Sequence, residues 1–157
     1  MVPKEVLKGA ALLDANFKGW ESRIKVDQLV MWDINRCMLG QLYFSFLTGC
    51  RTLGLTPETT NTHGFTATGR GAEEDMRLRR AWVELIQARR VPVSVGDRCV
   101  AKVAEPLLGI EVGDMGTVTH TGEECHTVRW DKPAHNGNPR HSSILAGSLA
   151  RLPAEVV

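Results

Sequence analysis

The 157-residue chain has no apolar run near the roughly 18 residues that a membrane-spanning helix needs. Its first stretch, MVPKEVLKGAALLDAN, contains acidic residues and lacks a small-residue cleavage site after an apolar segment, which is untypical of a secretory signal. These two absences predict a protein without a membrane segment and a cytoplasmic location.

Cysteine is also scarce, and its spacing excludes common uses. The four cysteines, Cys37, Cys50, Cys99 and Cys125, form no C-x-x-C pair, which argues against a zinc ribbon and against a redox motif. In a reducing compartment such cysteines behave as small apolar residues, so we expect buried thiols rather than disulfides.

A strong charge of either sign is missing too. The net charge is +1, with +3 over residues 1–94 and −2 over residues 95–157. Neither part has the positive field on which phosphate binding depends, so nucleic acid is not the default partner.

The remaining composition, 43% apolar and 24% charged, is that of a globular domain. Apolar spacing predicts a helix in PKEVLKGAALLDANF and a second one from Asp33 through INRCMLGQLYFSFLT, with Gly49 as a left-handed stop. Gly40 inside the second helix indicates a close approach by another backbone. Residues 53–71 predict a surface loop anchored by Phe65.

The clearest helix begins at the acids 73–75 and ends at Arg89 and Arg90, just before a proline. We expect its inward face to consist of Leu78, Trp82, Leu85 and Ile86. After Val91 the pattern predicts four or five short strands. The fold class is therefore predicted as α+β, with a helical domain of residues 1–92 packed on a small β-barrel of residues 93–157.

The stretches VGDRCVAKV, VGDMGTVTH, TVRWD and LARLP resemble small SH3-like barrels with a G-D-x-G-T-V turn and a following V-x-W-D strand. The matching residues are Gly113, Asp114, Gly116, Trp130 and Asp131, and the resemblance implies that they shape turns and fill the core. The upstream stretches CMLGQLY, HGF and AWVELIQARR are similar to small uncharacterised proteins of actinobacterial phages. That resemblance implies a phage protein, acting in the host cytoplasm, and names no catalytic residue.

Three patterns in the C-terminal part are candidates for a binding or catalytic site. Trp130 is the only aromatic residue after residue 94, so a stacking platform is hard to build and a core position is favoured. His120 and His126 flank a turn and could hold zinc across a hairpin, but a structural zinc site has four ligands and this pair provides two. Adjacent Cys125 and His126 point to opposite faces of a strand, which disfavours a nucleophile and base pair.

Arginines in and before the clear helix, represented by Arg70, Arg77 and Arg80, could form a stripe for nucleic acid, while pairing with nearby acids is the plainer explanation. We therefore predict a non-enzymatic accessory protein, without cofactor or metal, that binds a protein partner such as a host factor or virion component. Nucleic-acid binding is the alternative, and a zinc-binding barrel the third. Loops most often carry recognition, so the predicted partner contacts are His63, Phe65, His135, Asn136, Asn138, Arg140 and His141. The oligomeric state stays open.

Overall fold

The computed structural model describes residues 2–66, 71–133 and 138–153. The chain forms two compact units, Met1–Gln87 and Ala88–Val157, here called the helical unit and the sheet unit. Over the described residues the fold class is α+β, as predicted, with six α-helices and one five-stranded antiparallel sheet. In those same ranges no helix is long and apolar enough to cross a membrane.

The helical unit contains most of the helices, and the last one runs two residues past its end. Their bounds are α1 Lys4–Asn16, α2 Trp20–Arg23, α3 Met38–Tyr43, α4 Phe46–Leu53, α5 Pro57–Thr62 and α6 Ala72–Arg89. A 3-10 turn, Val26–Gln28, lies between α2 and α3.

Trp82 lies at the centre of the helical core. Its indole nitrogen donates to the carbonyl oxygen of Gly64 at 2.6 Å, and its ring stacks on Phe65 and meets Trp20 edge-on. A Cβ on Gly9 would lie 2.1 Å from the carbonyl oxygen of His63, so only glycine lets these segments approach. The prediction for the inward face of α6 is confirmed, because its four members are all buried: Leu78, Trp82, Leu85 and Ile86.

The prediction of one helix from Asp33 to Gly49 is wrong. The side chain of Asp33 accepts from the backbone N–H groups of Asn35 and Arg36, which holds a turn instead of a helix start. Helix α3 begins later, where the Cys37 sulfur accepts from the N–H of Gly40. Gly40 itself is confirmed as a close approach, since a Cβ there would lie 2.5 Å from the carbonyl oxygen of Ile34.

Gly49 lies inside α4 and not at a helix end. Ser45 provides a new N-cap by accepting from the N–H of Thr48. Helix α4 ends at Leu53, and Gly54 caps it with a φ of +65°. The predicted surface loop of residues 53–71 also contains α5. Thr56 and Thr59 form a reciprocal capping box there, with Pro57 in the first turn.

The sheet unit is built from five strands: β1 Arg98–Ala101, β2 Met115–Thr121, β3 Cys125–Trp130, β4 Arg140–Leu145 and β5 Leu149–Arg151. Their order is β4-β3-β2-β1-β5, and every neighbouring pair is antiparallel. A 3-10 turn, Pro106–Leu108, lies between β1 and β2, and another, Ala146–Ser148, separates β4 from β5. Within the described residues the two edge strands do not pair, and the sheet is not closed.

The core of the sheet unit confirms the prediction for Trp130. Its side chain is buried beside Val118 and Val128, and its indole nitrogen donates to the hydroxyl of Ser142 at 2.6 Å. A Cβ on Gly116 would lie 2.7 Å from the carbonyl oxygen of Arg129, so glycine is required for the pairing of β2 with β3.

Candidate interaction surface

Four large apolar side chains of the helical unit face solvent within one stretch of 16 residues, 32–47. Their exposed fractions are 64% for Trp32, 59% for Ile34, 93% for Phe44 and 71% for Leu47. We call this set the apolar rim. Single exposed apolar residues are ordinary, whereas exposed apolar residues that adjoin one another are typical of a binding surface.

Local hydrogen bonds hold the first half of the rim in place. Asp33 lies between Trp32 and Ile34, and its carboxylate accepts from two backbone N–H groups and from the guanidinium of Arg36. These bonds lower the pKa of Asp33, first through the Arg36 side chain. The carbonyl oxygen of Ile34 accepts from the N–H of Phe46 at 2.7 Å, which ties the turn to the start of α4.

Phe44 occupies a backbone conformation that disfavours its own side chain. It follows α3 with φ +68° and ψ −18°, and within the described residues it is the only residue other than glycine with a positive φ. Glycine or asparagine is usual at such a helix end. A phenylalanine that is strained in its backbone and exposed in its side chain contributes nothing evident to folding, which favours a role in binding.

Two adjoining depressions lie beside the rim. The larger, about 460 Å³, is lined chiefly by apolar groups of Phe46, Leu47, Cys50, Leu55 and Pro57, together with Arg51 and threonines. The smaller, about 180 Å³, lies among Met31, Trp32, Asp33, Ile34 and Cys37. Both are also lined by Phe46 and Thr66, so they adjoin.

The charges at these depressions are few and unequal. Asp33 is engaged by Arg36, whereas Arg51 is exposed and forms no ion pair with any residue that the structure describes. Burial raises the pKa of the Cys37 thiol and of the Cys50 thiol. Both thiols are therefore protonated at neutral pH and act as apolar lining rather than as nucleophiles.

The predicted contacts at His63 and Phe65 lie elsewhere on the helical unit. Phe65 is 1% exposed and stacks on Trp82, so it anchors the segment and its side chain cannot reach a partner. The prediction of Phe65 as a partner contact is therefore wrong, because its ring packs in the aromatic core and is not exposed to solvent. His63 is half-buried, and its Nδ1 lies 2.7 Å from the carbonyl oxygen of Thr59.

The other predicted contacts surround β4 in the sheet unit. His135 and Asn136 lie outside the described residues, while Asn138 and His141 are exposed. Arg140 is largely buried: it donates to the carbonyl oxygen of Gly109 and to Asp114, and it lies over the Trp130 ring. A third depression, about 680 Å³, is lined by apolar residues of the segment 104–110 and by the charged side chains of Arg140, Lys132 and Glu111.

The arginines proposed for nucleic acid are unequal in the structure. Arg70 lies outside the described residues, Arg77 pairs with Glu74 and Glu5, and Arg80 is exposed. Arg79 of the same helix donates to the carbonyl oxygens of Leu29 and Val26, which is a structural use. Nucleic-acid binding stays a prediction that no geometry here favours.

The histidines considered for zinc do not converge. His120 pairs with Thr127, and His126 pairs with Thr121, so the two imidazoles project from opposite faces of the hairpin. The two imidazoles therefore cannot meet across the turn, because a β-bulge shifts the register of β2 and β3 between Val118 and His120. Within residues 2–66, 71–133 and 138–153, no three His, Cys, Asp or Glu residues are grouped to hold a metal.

The sequence pattern did not single out Trp32 or Phe44 as contacts, because it predicted one long helix from Asp33 to Gly49. A signal for the break was present, since Ser45 stands three residues before Thr48 and can cap a helix start. A break at this serine removes Phe44 from any helix face and leaves it exposed.

Comparison of the chain with protein-family models, curated proteins and solved structures gave no match. A function has to be inferred from the chemistry of the surface alone.

Proposed function

We propose that this protein works without catalysis and binds a protein partner through the apolar rim and the two depressions beside it. The observation that supports this best is the exposure of four large apolar side chains within residues 32–47. Aromatic residues dominate the binding energy of protein interfaces, and the rim provides Trp32 and Phe44.

The size of the rim agrees with this role. Burying one fully exposed side chain of this kind contributes about 1.5–3 kcal/mol, and the four exposed fractions together equal about three full side chains. The rim therefore offers a partner roughly 4–9 kcal/mol. Part of that free energy offsets the entropy lost on association. The remainder suits a specific interface better than an incidental patch.

The origin and the barrel belong to the same proposal. We infer a phage-encoded accessory protein whose partner is a host factor or a virion component, and whose sheet unit is an SH3-like barrel. Support comes from the G-D-x-G-T-V turn, where Gly113 has φ +93°, and from the buried Trp130 of the V-x-W-D strand.

The test is a pull-down with matched variants. The rim variant combines Trp32→Ser, Phe44→Ser and Leu47→Ser; the control combines Leu107→Ser and Leu145→Ser, which remove exposed leucines of the sheet unit. We expect the wild type and the control to recover the same proteins from an extract of the natural host, read by quantitative mass spectrometry. The rim variant should lose them, and equal recovery by all three would refute the proposal.

A further inference from the structure

The larger depression, here called the groove, lies beside α4 and α5. Its lining begins at Phe46 and Leu47, continues one turn later at Cys50 and Arg51, and ends at Leu55 and Pro57. Helix α4 has eight residues and is therefore about 12 Å long. The part of α4 that lines the groove, residues 46–51, is about 9 Å long. This length matches roughly two turns of a second helix laid beside it, which would contact the groove through residues i, i+3 or i+4, and i+7.

The groove offers one cation and no free anion among the residues that the structure describes. Arg51 lies four residues after Leu47, on the same face of α4, and has no described ion-pair partner. In the smaller, adjoining depression the Asp33 carboxylate accepts from the Nε of Arg36 at 2.7 Å. Charge complementarity therefore favours a partner that places a carboxylate near Arg51.

The shape and charge of the surface favour a helix of a partner over a lipid surface and over a second copy of the chain. A lipid surface would contact the protruding Phe44 and Leu47 but would leave two depressions of about 460 and 180 Å³ without a matching shape. A second copy joined by a two-fold axis would present the same lining, in which Arg51 is the one charged side chain among the described residues.

We propose that the groove along α4 binds one amphipathic helix of the partner, with apolar side chains spaced i, i+3 or i+4, i+7 and a carboxylate that pairs with Arg51. This inference rests on the proposed function and specifies its partner. The same helix would extend its apolar face over Trp32 and Phe44.

A displayed library of peptides about 16 residues long, randomised at all positions, tests the inference on the full-length protein. Selection on the wild type is followed by depletion on a Trp32→Ser and Leu47→Ser variant, so that only rim-dependent sequences remain. A parallel selection uses Arg51→Glu. Because Arg51 is exposed, this variant should keep the wild-type circular dichroism spectrum, and Arg51→Gln is the neutral control.

We expect wild-type sequences with helical apolar spacing and Asp or Glu at one recurrent flanking position. With Arg51→Glu, Lys or Arg should replace the acid at that position. For a synthesised peptide with Glu there, Arg51→Glu should weaken binding about fivefold to tenfold, and Glu→Lys in the peptide should restore it. Trp32 reports binding, because the other three tryptophans are buried and acrylamide quenches exposed rings.

The failures can be told apart. If no enriched sequence depends on Trp32 and Leu47, the helical occupant is wrong. The proposed function itself fails only if the rim variant recovers the same proteins as the wild type in the pull-down. If enriched sequences depend on the rim but show a period of two or no acidic position, the rim binds protein and the helical occupant is wrong. Rim-dependent dimers in sedimentation equilibrium, or rim-dependent cosedimentation with vesicles of anionic and neutral phospholipid, would replace that occupant by a second copy or a membrane.

Discussion

Replacing Phe44 by glycine changes the strained position where α3 ends. At φ +68° the Cβ of an ordinary residue collides with its own backbone, at a cost of roughly 1–2 kcal/mol that glycine avoids. The phenylalanine ring is 93% exposed, so its removal forfeits almost no buried apolar area. Glycine also makes the unfolded chain more flexible, which offsets about 0.4–1 kcal/mol.

The net expectation for Phe44→Gly is a helical unit more stable by about 0.5–1 kcal/mol. With a urea m-value of about 1.5 kcal/mol per molar, the unfolding midpoint should rise by roughly 0.3–0.7 M. Far-ultraviolet circular dichroism in urea measures this, since the helices lie largely in this unit.

Phe44→Ala is the matched control. It removes the ring and keeps the Cβ at positive φ, so its midpoint should stay near that of the wild type. A Phe44→Gly protein that is no more stable than Phe44→Ala would show that the backbone at this position is not strained, and the case for a binding role of the ring would lose its main support.

Three further outcomes are expected. Gly9→Ala should lower the free energy of unfolding by about 2 kcal/mol in urea titrations, because its methyl group would overlap the carbonyl oxygen of His63; an unchanged midpoint would contradict that contact. Trp32→Phe should remove most of the acrylamide quenching of tryptophan fluorescence, and a quenching slope like the wild type's would place Trp32 in the core. Arg98 donates to Asp131 and lowers the pKa of that carboxyl below its ordinary 3.8, so the pair stabilises the fold at neutral pH and this stability is lost as the pH falls below about 4. Between about pH 4 and pH 2 the unfolding free energy of the wild type should fall more steeply than that of Asp131→Asn, by a small amount because Asp131 is half exposed; parallel curves would exclude the linkage.

Local sequence signals determined the elements whose boundaries depend on neighbours in the chain. Acids at the start of α6, arginines at its end and a period of 3.6 were sufficient to predict its inward face, and the turn glycines before β2 were sufficient to predict a strand. The burial of Trp130 also followed from the sequence, since no second aromatic residue stands near it to build a binding platform.

Tertiary structure decided what the sequence pattern left ambiguous. Ile34, Cys37, Met38, Leu42 and Phe46 suit one continuous apolar helix face, but the hydrogen bonds of Asp33 and Ser45 divide that helix. In the divided segment Ile34, Phe44 and Leu47 face solvent. Apolar spacing records which residues are hydrophobic and not where water is excluded, because exclusion depends on the segments that pack from elsewhere in the chain. The sequence therefore determined α6 with its inward face, the strand-rich C-terminal part and the burial of Trp130. Only the fold decided where the segment 33–62 divides into helices and that the apolar rim is a surface.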